Sequence, residues 1–121
     1  VTVNAFVMGA DSLMGAHLQI EYDNSLVSFT TVTIGNFFSG GTESFVMAED
    51  DSDNGLLDVY VSFGGGSSLS VSGNGNIANI TFNTLAVGKT VLTFTSASEL
   101  ADPDDNAIEI KGYGEGVIDA K

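Results

Sequence analysis

The chain has 121 residues, the size of one ordinary domain and enough to bury roughly two-thirds of its unfolded surface without disulfides or a structural metal. Sixteen acidic residues against three lysines give a formal charge of −13, which repels nucleic acid and anionic membranes; the absence of cysteine removes disulfides and cysteine zinc sites. No apolar run approaches the about 20 residues that span a bilayer, so a single domain over residues 1–121, without membrane insertion, is expected. Because Val1 already lies in strand-like sequence, that domain reads as a module excised from a larger protein.

Helical periodicity is almost absent. What recurs is short alternating or apolar runs rich in Val, Ile, Thr and Phe, punctuated by Gly, Asn, Asp and Ser. Nine strands are predicted, near residues 1–8, 15–22, 26–34, 43–48, 56–63, 76–83, 90–95, 107–111 and 114–120, with a further short one around 97–100. Closing that many short antiparallel strands around one core gives an all-β sandwich or a jelly roll.

In chain order, "GAHLQIEYDNSLVSF" (15–29) places Ala16, Leu18, Ile20 and Tyr22 on one side of an extended chain and His17, Gln19 and Glu21 on the other. The connector "IGNFFSGG" carries Phe37 and Phe38, one of which is expected to plug an end of the sandwich. The acid-rich stretch "EDDSDNG" (49–55) reads as a solvated hairpin turn, although Glu49, Asp50, Asp51 and Asp53 are the hard oxygen ligands calcium prefers. It is not an EF-hand loop, since counting from Asp50 the twelfth residue is Val61 and not a glutamate.

The next strand, "GLLDVYVSF", has one uniformly apolar side, Leu57, Val59, Val61 and Phe63, and leaves Leu56, Asp58, Tyr60 and Ser62 on the other. After the Gly/Ser loop 64–75, "NIANITFN" turns Ala78, Ile80 and Phe82 inward and Ile77, Asn79, Thr81 and Asn83 outward. Its "NIT" matches a glycosylation sequon, but the match is common by chance and falls within a strand. "VGKT" (87–90) imitates the end of a phosphate-binding loop, yet Asn83 stands where the first glycine belongs and a strand follows, so it is a turn. In "DPDDN" (102–106) Asx-type turn chemistry accounts for the aspartates without an ion.

Catalysis has little to work with. His17 is the only histidine, and "GGGSSL" fails the nucleophile-elbow pattern because Leu69 replaces its second glycine; no enzyme activity is expected. Sugar binding by a β-sandwich draws on exposed aromatic rings. There is no Trp, and Phe29, Phe63, Phe82 and Phe94 fall on inward positions, leaving Tyr60, Tyr113, Phe37 and Phe38. The outward residues are more informative: Leu56, Tyr60 and Ile77 beside His17, Gln19, Asp58 and Asn79 make an aromatic and aliphatic centre with a polar surround, the composition of a protein contact surface.

The order of elements resembles a cohesin, the scaffoldin module that binds dockerins. The resemblance is carried by "GAHLQIEYDNSLVSF", "NGLLDVYVSF", "NGNIANITFNTLAVGKTVLTF", "LADPDDNAIEI" and "GEGVIDA", and it runs from about Val1 to Asp119. It implies a nine-stranded antiparallel β-sandwich with jelly-roll topology. It also implies a non-catalytic interaction module, secreted or at the cell surface, whose outer sheet face binds a dockerin and tethers the protein that carries it. The implied contacts are at Gly15, His17 and Gln19, at Asp58 and Tyr60, at Asn79 and Thr81, and in the loop after Phe63, and the residues expected to bind the partner are His17, Gln19, Asp58, Tyr60, Asn79 and Thr81. Gly15 and His17 depart from the type I pattern, which has Asn and Asp there. No cofactor is expected, and calcium, if used, belongs to the dockerin; in this chain its candidates are Glu49, Asp50, Asp51 and Asp53. The alternatives are a carbohydrate-binding module and a structural β-sandwich of a surface protein.

Overall fold

The structure is a computed structural model that describes residues 2–36, 44–63, 71–101, 107–108 and 115–120. Among them are ten strands: β1 (Thr2–Leu13), β2 (Gly15–Glu21), β3 (Val27–Ile34), β4 (Ser44–Asp51), β5 (Leu56–Phe63), β6 (Val71–Thr84), β7 (Gly88–Phe94), β8 (Glu99–Ala101), β9 (Ala107–Ile108) and β10 (Glu115–Ala120). They form two sheets, one ordered β1-β6-β3, the other β10-β7-β2-β5-β4 with β8 beside β2 and β9 beside β8. Every pairing is antiparallel, and the fold is the expected β-sandwich of jelly-roll type. Phe37, Phe38, Tyr113, the 102–106 turn, the loop after Phe63 up to Ser70 and the side chain of Phe63 lie outside the described residues.

The core sits between the sheets and is supplied by alternate residues of each strand. From the larger sheet come Ala16, Leu18, Ile20, Leu57, Val59, Val61 and Leu92; from the smaller come Ala5, Val27, Ala78, Ile80 and Phe82, all buried. Tyr22, also buried, meets the Phe82 ring at 5.5 Å, and Phe29 meets it edge-on at 6.4 Å.

Three boundaries differ from the sequence reading. β1 runs on to Leu13 because irregularities in its pairing with β6, one of them near Gly9 at φ 66°, let the strand bend without ending. β6 begins at Val71, inside the stretch read as a loop, because that part of β1 gives its backbone a partner. β4 continues through Asp51, so Glu49, Asp50 and Asp51 are strand residues opposite Asp58, Leu57 and Leu56, and the turn is confined to 52–55.

Candidate functional site

Strand alternation and antiparallel register together set the outward face of the larger sheet. Directly opposed residues line up across its strands, so Met47, Tyr60, His17 and Glu99 form one row and Glu49, Asp58 and Gln19 the next. On either side lie Phe45, Ser62 and Gly15, and Asp51, Leu56 and Glu21. Phe45 and Met47 are nearly half exposed, at 47% and 46%. This centre of large side chains is bordered by carboxylates.

Its middle is ordered by side-chain contacts. The His17 ring stacks on Tyr60, with centroids 4.5 Å apart and planes 4° from parallel. His17 Nε2 lies 2.7 Å from Asp58 Oδ1. A carboxylate cannot donate, so with a neutral ring Nε2 carries the hydrogen. Gln19 Nε2 donates to the same Asp58 oxygen at 3.2 Å, and Thr95 Oγ1 donates to Gln19 Oε1 at 2.6 Å, which orients the amide. The strand beneath is held by Gln19 N donating to Ser98 Oγ at 3.0 Å and Thr95 N to Gln19 O at 2.9 Å. Desolvation, then the charges of Asp58 and Glu49, pushes the Tyr60 phenol up from its ordinary value.

Four of the six residues expected at the site, His17, Gln19, Asp58 and Tyr60, are therefore together on β2 and β5. Asn79 and Thr81 are not with them, and the expectation of one shared face is corrected here. Both lie on β6, which pairs with β1 and β3 in the other sheet, so they face the opposite side of the sandwich. There Asn79 Nδ2 reaches Thr33 Oγ1 at 3.3 Å and Ile34 O at 3.5 Å, while the Thr81 and Thr2 hydroxyls are 3.0 Å apart. Ile77, expected outward, is buried at 2% exposure. Ala5 pairs with Ala78 but Phe6 with Asn76, so Ile77 is the extra residue of a bulge and the alternation slips at that point.

The sequence reading missed Phe45, Met47, Glu99 and Thr95 as members of the face. Alternation in "SFVMAEDD" carried the signal for the first two; Thr95 has no local signal, because only the fold brings it to Gln19.

The calcium candidates do not converge. Glu49 and Asp51 share the outward face, whereas Asp50 is turned to the other side and takes a hydrogen bond from the Tyr22 hydroxyl at 2.5 Å. Asp51 Oδ2 accepts from Asn54 Nδ2 at 2.9 Å, and the carbonyl of Asp53 accepts from Asn24 Nδ2 at 3.3 Å. Among the described residues no three His, Cys, Asp or Glu side chains are grouped to hold a metal ion. Nor, among them, is any helix long and apolar enough to cross a membrane.

A two-sheet antiparallel sandwich with a structured, half-apolar and acid-bordered sheet face has the architecture of a β-sandwich interaction module. The family model for the cohesin domain matches residues 1–118, and the chain belongs to the cohesin family. Among solved structures it is similar to the type II cohesin dyad from the adaptor scaffoldin ScaA of Acetivibrio cellulolyticus. The two share 16% identity at a TM-score of 0.80, over 99% of this chain and 43% of that one, so the chain spans less than half the length of the dyad. It is likewise similar to a type II cohesin domain from the cellulosome of that organism, at 17% identity and TM-score 0.77, covering 97% and 84% of the two chains. A third likeness is to the sixth cohesin of its scaffoldin B, solved with a mutant Cel5 dockerin, at 19% identity and TM-score 0.77, covering 100% and 88%. No curated protein matches the chain.

Proposed function

We propose that this chain is a non-catalytic module, secreted or at the cell surface, that binds a dockerin on the outer face of its larger sheet and thereby tethers the dockerin's parent protein to a scaffold. The observation that carries this reading is the stacked His17 and Tyr60 pair, set between half-exposed Met47 and a rim of Glu49, Asp58, Glu21 and Glu99. A large, rigid ring at the centre of a polar surround is the usual anchor of a protein interface, and flat sheet faces need such an anchor because they offer no groove. Family membership and the dockerin in the third likeness supply the partner class.

The test is a pull-down from the source organism's secreted and surface proteins, with calcium and with chelator, using the unmutated domain and a Tyr60→Ala/Asp58→Ala variant. The expected result is a dockerin-bearing protein recovered by the unmutated domain in calcium and lost in the variant. Recovery of nothing by either form, where a known pair is captured, overturns the reading.

A further inference from the structure

We propose that Asp58 is the receptor for a cationic side chain of the partner and that His17 is its proton-operated competitor, so that the face holds a Lys or Arg while the imidazole is neutral and releases it when the imidazole is protonated. This rests on the protein-binding reading of the same face.

The geometry supplies both halves. His17 Nε2 and Gln19 Nε2 both bond to Asp58 Oδ1, and among the described residues nothing donates to Oδ2. With Gln19 held by Thr95 and His17 held flat against Tyr60, the carboxylate is fixed in place with one oxygen uncommitted. The His17 and Asp58 side chains are 26% and 21% exposed, enough for an incoming group to reach them and little enough for their charge to be felt through low dielectric. With neutral imidazole the pair carries one negative charge; a proton added at Nδ1 brings it to zero without moving a heavy atom.

Among the described residues no other side chain on the face is an imidazole. The groups facing the pair are Tyr60 beside Asp58 on β5, Glu49 opposite Asp58 on β4, Glu99 opposite His17 on β8, and Glu21 further along β2. Thr93 of β7 and Thr95 just after that strand are uncharged, and Lys89 lies at the far end of β7, paired with Asp119 of β10. All the charged groups facing the pair are acids, which draw a cation in. The chain has one histidine and no cysteine, so His17 is its sole imidazole and the group through which such a change of charge would act.

The test uses the domain alone with N-acetyl-arginine amide and N-acetyl-lysine amide as probes and N-acetyl-norleucine amide as the neutral control, followed by NMR at low ionic strength. Gln19 side-chain amide and Tyr60 ring signals report on Asp58 from either side. The expected result is saturable binding of at least one cationic probe near pH 8 that weakens several-fold near pH 5, a His17→Gln variant that binds equally at both, and an Asp58→Asn variant that binds at neither. Equal binding at both pH values by the unmutated domain, or a pH step that survives in His17→Gln, overturns the proposal. The dockerin reading is judged separately: a failed pull-down leaves this result standing, and a captured dockerin that is held equally at both pH values, with probes that bind without a pH step, sinks this proposal alone.

Discussion

Two tyrosines show how one residue type is put to different uses. Tyr60 presents a ring to solvent with acids at its tip, and its flat body is what a partner would cover. Tyr60→Ala is expected to cost about 2 kcal/mol or more of partner affinity by titration calorimetry, whereas a loss below about 0.5 kcal/mol would remove Tyr60 as the anchor. Tyr22 is buried, and its hydroxyl donates to Asp50. Burial first, then the hydrogen bond to Asp50 and the charges of Asp50 and Asp51, hold its phenol well above the ordinary range. Because the folded chain keeps a proton that the unfolded chain gives up near pH 10, the contribution is complete below about pH 10 and declines as pH rises beyond it. Tyr22→Phe is therefore expected to lose about 1 kcal/mol at neutral pH and to show a shallower fall in stability above about pH 10, both read from urea unfolding.

At the scale of elements, the hairpin β4–β5 carries half of the proposed contact face, and its register depends on the turn at 52–55. Gly55 closes that turn at φ 66°, its carbonyl accepts from Tyr22 N at 2.8 Å, and a Cβ on it would press into the Tyr22 carbonyl oxygen. Asn24 reaches across to the Ser52 carbonyl at 2.6 Å, so the turn is tied to the end of β2 as well as to its own strands. Gly9 has the same φ but open space around it. Gly55→Ala should thus combine backbone strain with a clash and cost about 2 kcal/mol or more, while Gly9→Ala meets strain alone and should cost about 1 kcal/mol. Thermal unfolding of the two variants checks the order; equal losses would show that the Tyr22 contact yields without cost.

For the whole molecule, the decisive contact is the one that joins the sheets. Phe82, on the smaller sheet, is 1% exposed and touches Tyr22, at the end of the larger one. Phe82→Ala is expected to cost about 3–5 kcal/mol, since the rings around it are anchored to different sheets and cannot close the void together. Thr81→Ala, one residue earlier but on the outward side, should stay within about 0.5 kcal/mol, and chemical denaturation of both variants compares them. Charge divides the molecule in the same way. β1, β3 and β6 hold a single charged residue, Asp11, while the proposed contact face of the larger sheet is bordered by Glu21, Glu49, Asp58 and Glu99. Carboxylates thereby border the face where the proposed partner would meet it, and long-range attraction would favour a basic partner there.

The alternation in residues 15–22 and 56–63 was sufficient by itself to place Leu18, Ile20, Leu57, Val59 and Val61 in the core and His17, Gln19, Asp58 and Tyr60 outside it. Side-chain direction along a strand is a local property of the extended backbone, so it is written in the sequence. Only the tertiary structure decided that β2 lies beside β5, setting His17 against Tyr60 and Asp58, and that β6 belongs to the other sheet and takes Asn79 and Thr81 with it. It also turned Ile77 inward at a bulge and brought Asp50 to Tyr22. Backbone N–H and C=O groups bond equally well to any strand, so alternation gives each strand two faces but no neighbour. Neighbours are chosen when the sheets close over a common core, and the grouping of outward side chains into one site is a consequence of that choice.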